Sequence, residues 1–74
     1  MNFDFGNRIK SLRLSRSMTQ EQLAQKLGVS AQAVSKWESG KNEPDKDHLV
    51  ALSELLGLSL EDLLSDTPAL YGLL

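Results

Sequence analysis

The stretch Gln20-Glu21-Gln22-Leu23-Ala24-Gln25-Lys26-Leu27-Gly28-Val29-Ser30-Ala31-Gln32-Ala33-Val34-Ser35-Lys36-Trp37-Glu38-Ser39-Gly40 decides the fold. Apolar residues recur at helical spacing on both sides of Gly28-Val29-Ser30, so the stretch reads as two helices of about eight and nine residues joined by a short link. Such a link does not let the helices run antiparallel side by side, and they must cross steeply. Backbones come close at a steep crossing, and Ala24 supplies the small residue that the inner face of the first helix needs. Leu23, Leu27, Val29, Val34 and Trp37 then close a core beneath the crossing. Gln32, Ala33, Ser35, Lys36 and Ser39 are left pointing outward.

The helices around this pair announce themselves by a repeated start pattern, in which an apolar residue precedes a Ser/Thr cap and meets another apolar residue one turn later. Met18-Thr19 with Leu23, Val29-Ser30 with Val34 and Leu58-Ser59 with Leu63 follow it, and Thr19 with Gln22 completes a capping box. An earlier helix covers Phe5 to Ser15, with Phe5, Ile9 and Leu12 on one face and Asp4 as its cap. Another follows Pro44-Asp45, carries Leu49, Leu52 and Leu56, and ends at Gly57, while Gly28 and Gly40 end the two central helices. No segment alternates with period two between hairpin turns. The expected fold class is therefore all-α, a compact five-helix domain over residues 1–66 followed by an apolar tail, 67–74.

Composition excludes several functions. A chain of 74 residues holds one modest core, and its stability must come from helix packing, because it has no cysteine to staple the fold. The same lack, with His48 as the single histidine, leaves no cysteine or histidine set for a metal. No cofactor is expected. No apolar run approaches the roughly 18 residues of a membrane span, and the start has no basic then apolar leader pattern. A cytoplasmic location is expected, without membrane contact. Ser, His and Asp occur, but nothing fixes a nucleophile beside a base, so an enzyme is not expected. The net charge of −2 conceals an asymmetry. Residues 1–42 carry seven Lys/Arg against three acids, and residues 43–74 carry Lys46 against seven acids, so a basic face is set against an acidic rear.

The run Gly6-Asn7-Arg8-Ile9-Lys10-Ser11-Leu12-Arg13, with Met18-Thr19-Gln20-Glu21-Gln22-Leu23-Ala24, Gly28-Val29-Ser30, Val34-Ser35-Lys36-Trp37-Glu38-Ser39-Gly40-Lys41 and Pro44, closely resembles the phage-repressor and Cro-like (XRE) family over residues 5–64. The resemblance implies a helix-turn-helix at the second and third helices, with the third (about 30–39) docked in a DNA major groove roughly 12 Å wide. It implies a sequence-specific transcriptional regulator, a repressor, bound to double-stranded operator DNA. By carry-over, Ala31, Gln32, Ala33, Ser35 and Lys36 face the bases, with Ser39 on the same outer side. Gln32 has the amide that pairs with adenine, and Lys36 reaches guanine or a phosphate. Gln20 corresponds to a phosphate contact at a helix head, which Thr19 shares or merely caps. Ala33 stands where an N3 Gln or Asp folds back in the sister helices, which leaves Ser30 and the first-turn amides open to the DNA backbone. The Lys41-Asn42 loop is expected along that backbone, supplying a charge and N–H groups. Glu43 replaces a residue commonly basic there, so no phosphate contact is expected from it.

The resemblance also implies a partly buried ion pair between Arg13 and Glu38, and a left-handed residue at Ser17, where relatives often have glycine. Trp37 reads as core by its spacing from Val34, and His48 as surface. One helix reads too few base pairs to select a genomic site, so a homodimer on an inverted repeat is expected. Leu60, Leu64, Leu70, Tyr71, Leu73 and Leu74 offer an apolar surface for that pairing, although the tail could instead fold over the first helix or lead into a further domain. A scaffold that holds a protein partner is the rival reading. Gln20, Gln32, Lys36 and Lys41 on one face argue against that as the sole role.

Overall fold

The computed structural model describes residues 4–64. Five helices follow in order: α1 (Phe5–Ser15), α2 (Gln20–Leu27), α3 (Ala31–Glu38), α4 (Lys46–Leu56) and α5 (Leu60–Leu64). No strand occurs among the described residues. The five-helix, all-α architecture is the one expected, and α3 is one residue shorter at each end than 30–39 because Ser30 and Ser39 are its caps. The expected boundary at 66 and the tail from 67 to 74 lie outside the described residues.

Each helix starts where a short polar side chain accepts the amide three residues on. Asp4 takes Asn7 N–H, Thr19 takes Gln22, Ser30 takes Ala33, Asp45 takes His48 and Ser59 takes Asp62, all at 3.0–3.1 Å. A cap of this kind is worth about 1 kcal/mol. The exits are equally uniform. After α1, Ser17 N–H donates to Leu14 O at 2.9 Å and Met18 N–H to Arg13 O at 3.1 Å, the paired bonds that close a helix through a left-handed residue. At three such exits the left-handed residue is glycine. At the first it is Ser17, with φ 57°, which no other described non-glycine residue shares in sign.

The core consists of Ile9, Leu23, Ala24, Val34, Trp37, Leu52, Leu56 and Leu63. Burying each larger side chain contributes about 1.5–3 kcal/mol. α3 packs on both α2 and α1, and α4 packs on α2 and α5. Ala24 is buried at the α2–α3 crossing, where a bulkier side chain would hold the helices apart. The α1–α3 seam depends on Gly6. A Cβ there would sit 2.6 Å from the Trp37 carbonyl oxygen and closer still to that of Glu38, so only glycine lets the first turn of α1 rest on the end of α3.

Two expectations change. The basic face is smaller than the charge count implied, because arginines of α1 and its exit are drawn to carbonyl-rich helix ends. Arg8 donates to Asp62 O at 2.8 Å and Leu63 O at 3.2 Å on α5, and Arg16 donates to Leu56 O at the end of α4. With Arg13 bound to Glu38, and Arg8 and Arg16 bound to those carbonyls, the exposed cations whose side chains carry no hydrogen bond to the protein among residues 4–42 are Lys10, Lys26, Lys36 and Lys41. His48, read as surface, is half-buried. Its ring lies 5.8 Å from that of Trp37, tilted by 44°, and its Nδ1 lies 2.9 Å from Asp45 Oδ1. The first turn of α4 is thereby laid against α3.

Candidate nucleic-acid interface

Position along α3 sorts its residues. Val34 and Trp37, one turn apart, are buried in the core, while Gln32, Ser35, Lys36 and Ser39 are exposed on the opposite side. Ala31 and Ala33 are half-buried and lean on the core, one turn before Val34 and Trp37 respectively. The exposed row is therefore narrower than the outward set drawn from the sequence. What it presents is an amide, two hydroxyls and an ammonium, on a helix with no bulky side chain between them.

The heads of α2 and α3 differ. At α2 the box is reciprocal: Thr19 N–H donates to Gln22 Oε1 at 2.9 Å, and Gln22 N–H donates to Thr19 Oγ1 at 3.0 Å. At α3 Ser30 Oγ accepts from Ala33 N–H at 3.1 Å and nothing folds back, because the Ala33 side chain carries no polar atom. The amides of Gln20, Glu21, Ala31 and Gln32 have no protein acceptor among the described residues. Open amides at a helix head, with the positive end of the macrodipole behind them, suit an anion such as phosphate. Thr19 and Ala31 line one open groove between the two heads, together with Gln22, Gln25 and Val29.

The loop after α3 departs from expectation. Its amides turn inward: Lys41 N–H donates to Lys36 O at 2.9 Å, Asn42 N–H to the same oxygen at 3.3 Å, and Gly40 N–H to Trp37 O at 3.2 Å. The left-handed Gly40 (φ 80°) makes this closure possible. The N–H groups assigned to the DNA backbone are thus taken up by the end of α3, and the exposed side chains of Lys41 and Asn42 are what remains.

Beneath the face lies a polar knot. Arg13 Nε donates to Glu38 Oε2 at 2.7 Å and Arg13 Nη2 to Glu38 Oε1 at 3.0 Å, with the side chains only 8% and 5% exposed. This two-toothed geometry fits the planar guanidinium to the carboxylate. Hydrogen bonding to Glu38 raises the Arg13 pKa above its ordinary value, against a smaller opposing effect of burial. Arg13 Nη1 also donates to Met18 O at 2.8 Å, which pins the turn between α1 and α2. Gln20 Nε2 donates to Glu38 Oε1 at 3.0 Å. Neither this bond nor the close approach at Gly6 was anticipated. The second left a signal, a glycine inside an otherwise regular helical pattern.

Among the described residues, no group of His, Cys, Asp and Glu could hold a metal ion, and no helix is long and apolar enough to cross a membrane.

Comparison with known proteins agrees with this geometry. Residues 9–63 match the family described as Helix-turn-helix. The chain is 42% identical over 62 residues to the HTH-type transcriptional activator BcrR of Enterococcus faecalis, across 84% of this chain and 30% of that protein. It is also 42% identical over 69 residues to the SPbeta prophage-derived HTH-type transcriptional regulator YonR of Bacillus subtilis (strain 168), across 93% of this chain and 64% of that protein. It thus spans less than two thirds of the length of either relative. The crystal structure of the P22 c2 repressor protein, in complex with synthetic operator 9T in the presence of Tl+, aligns with a TM-score of 0.78 at 37% identity, covering 84% of this chain and 94% of that chain. Helix order, the α2–α3 crossing and the matched residues agree: the chain belongs to the helix-turn-helix family of phage-repressor (XRE) type, a family of DNA-binding transcriptional regulators rather than enzymes.

Proposed function

We propose that this domain binds a DNA operator as a homodimer, lays α3 in the major groove of each half-site, and represses transcription from the cytoplasm. The observation that carries the reading is the exposed row Gln32, Ser35, Lys36 and Ser39, which shares α3 with a head of open amides. Gln32 is assigned to adenine and Lys36 to guanine O6/N7 or a phosphate, each by the donor pattern of its side chain. Gln20, Thr19 and Ser30 flank the row at the two helix heads and are assigned to phosphates, as are Lys41 and Asn42 beyond α3. Ala31 and Ala33 leave room for the groove wall. Repression is preferred because occupancy of an operator needs no surface beyond the DNA-contacting one.

A dimer is required on grounds of information. One α3 contacts a few base pairs, and each correct contact supplies only about 1–3 kcal/mol of discrimination. Two helices related by a two-fold axis should lie about 34 Å apart, one turn of the duplex, so half-site centres should be separated by roughly 10 base pairs. Leu64, 45% exposed at the end of the described chain, is an apolar side chain available to such pairing.

Selection of bound duplexes from a random DNA pool tests the proposal. The expected product is an inverted repeat with that spacing. Recovery of no motif would refute sequence-specific binding, and a single unpaired half-site would refute the dimer.

A further inference from the structure

The same side chain that is assigned to a phosphate, Gln20, already has a protein partner. Its Nε2 donates to Glu38 Oε1, an oxygen that also accepts from Arg13 Nη2. A carboxylate only accepts, so the nitrogen end of the Gln20 amide must face Glu38, and chemistry settles the flip that is otherwise ambiguous for a glutamine. Glu38 cannot follow Gln20 if the latter moves, because Arg13 grips both of its oxygens and the pair is buried. Gln20 itself is half-buried at the head of α2 and makes no other side-chain hydrogen bond among the described residues. Ala31, at the head of α3, offers no rival acceptor.

The geometry points to Glu38 as a positioning residue for DNA binding, which through Oε1 anchors the Gln20 carboxamide and leaves its second N–H for a DNA phosphate. The inference rests on the assignment of Gln20 to a phosphate made above. Two physical effects follow. A glutamine held in place before binding loses less conformational freedom when it meets the phosphate. A bare carboxylate near a phosphate would repel it, and the Arg13 guanidinium removes that penalty by neutralising Glu38. The knot thus links α1, α2 and α3 in a form already suited to DNA, and Glu38 acts without touching it.

The test is a double-substitution cycle read on a duplex of arbitrary sequence at low salt, since phosphate contacts do not depend on base sequence. Gln20→Met should weaken binding about tenfold, as expected for loss of a hydrogen bond to a charged group. Glu38→Asp keeps a charge partner for Arg13 but withdraws the oxygen from Gln20. In protein shown to be folded by circular dichroism, it should weaken binding by a similar factor, and it should have no further effect in the Gln20→Met background. The side-chain amide of Gln20 gives a second readout by nitrogen-15 NMR. One of its two protons should be protected from exchange in the unbound parent and lose that protection in Glu38→Asp.

If folded Glu38→Asp binds like the parent while Gln20→Met is weakened, positioning is overturned and the phosphate assignment stands. If Gln20→Met binds like the parent, the assignment fails and takes the inference with it. Equal weakening by Glu38→Asp with and without Gln20 would also overturn the inference, since Glu38 would then act by another route. Should Glu38→Asp not fold, an unprotected, freely exchanging Gln20 amide in the parent would suffice to refute the anchor.

Discussion

The two sides of α3 and its C-cap Ser39 obey different rules although they share nine residues. On the inner side, Val34, Trp37 and Glu38 are tied to other elements: apolar core, the first turn of α1 against two carbonyls, and an arginine fork from α1. On the outer side, Gln32, Ser35, Lys36 and Ser39 are exposed, and the one side-chain bond among them stays local, from Ser39 Oγ to Lys36 O at 3.2 Å. The difference teaches that fold and recognition are nearly separable within one short helix. Inner substitutions should register as stability, with Glu38 also reaching affinity through its hold on Gln20, and outer ones as affinity or base choice.

The largest expected effect breaks the inner side. Glu38→Ala leaves the Arg13 guanidinium buried and unpaired, at a cost of about 3–5 kcal/mol, comparable with the whole stability of a small domain. Thermal denaturation should find this variant largely unfolded at 25 °C. A melt within a few degrees of the parent would mean that water reaches Arg13. Next comes Gly6→Ala. Alanine favours helix by about 1 kcal/mol, but its methyl would overlap backbone carbonyls that cannot rotate away. The overlap should win, with a net loss of about 2 kcal/mol measured by urea denaturation; equal stability would show that α1 can slide along α3.

Smaller effects belong to the outer side. Lys36→Ala and Lys41→Ala should melt like the parent, yet differ on DNA. The first should relax base preference at one position of the half-site if Lys36 reads guanine, and the second should weaken all sequences alike. With about three phosphates neutralised per subunit, the log-log salt slope of the parent dimer should be about −5, and Lys41→Ala should flatten it by roughly one per subunit. Matching specificity profiles for the two variants would reduce Lys36 to a phosphate contact. The smallest effect is a gain. Ser17→Gly relieves a left-handed serine of about 1 kcal/mol and should raise the melting temperature by several degrees without changing affinity. A fall would show that the Ser17 side chain, though exposed, supports the turn.

What the sequence discloses depends on how far apart the interacting residues lie. Thr19 with Gln22, Asp45 with His48 N–H and Ser59 with Asp62 N–H are three residues apart, so the helix starts can be read directly from the chain. Ser17 was legible in another way, through the resemblance to a family that often has glycine at the exit of this helix. The carbonyl grips of Arg8 and Arg16 span 54–55 and 40 residues, and no local pattern marks an arginine as a cap for a distant helix. A charge count therefore placed both on a basic face. The loop amides of Lys41 and Asn42 were misassigned because their local acceptor, Lys36 O, competes with DNA for the same N–H groups. On the outer side of α3 the pattern gave the residue types to be presented, while the lean of Ala31 and Ala33 toward the core depends on how α3 is rolled against its neighbours.

The grip of Arg8 on α5 bears on how the chain acquires its structure. α2 and α3 are adjacent in sequence, so their crossing closes a loop of only a few residues and should form early. α5 is five described residues long, too short to persist as an isolated helix, and its last carbonyls are held from the opposite end of the chain. Bringing Arg8 to Asp62 and Leu63 encloses nearly the entire domain, a costly closure in chain entropy. α5 should therefore dock last and open first, and slow amide exchange in α2 and α3 beside fast exchange in α5 would be its trace in the native protein.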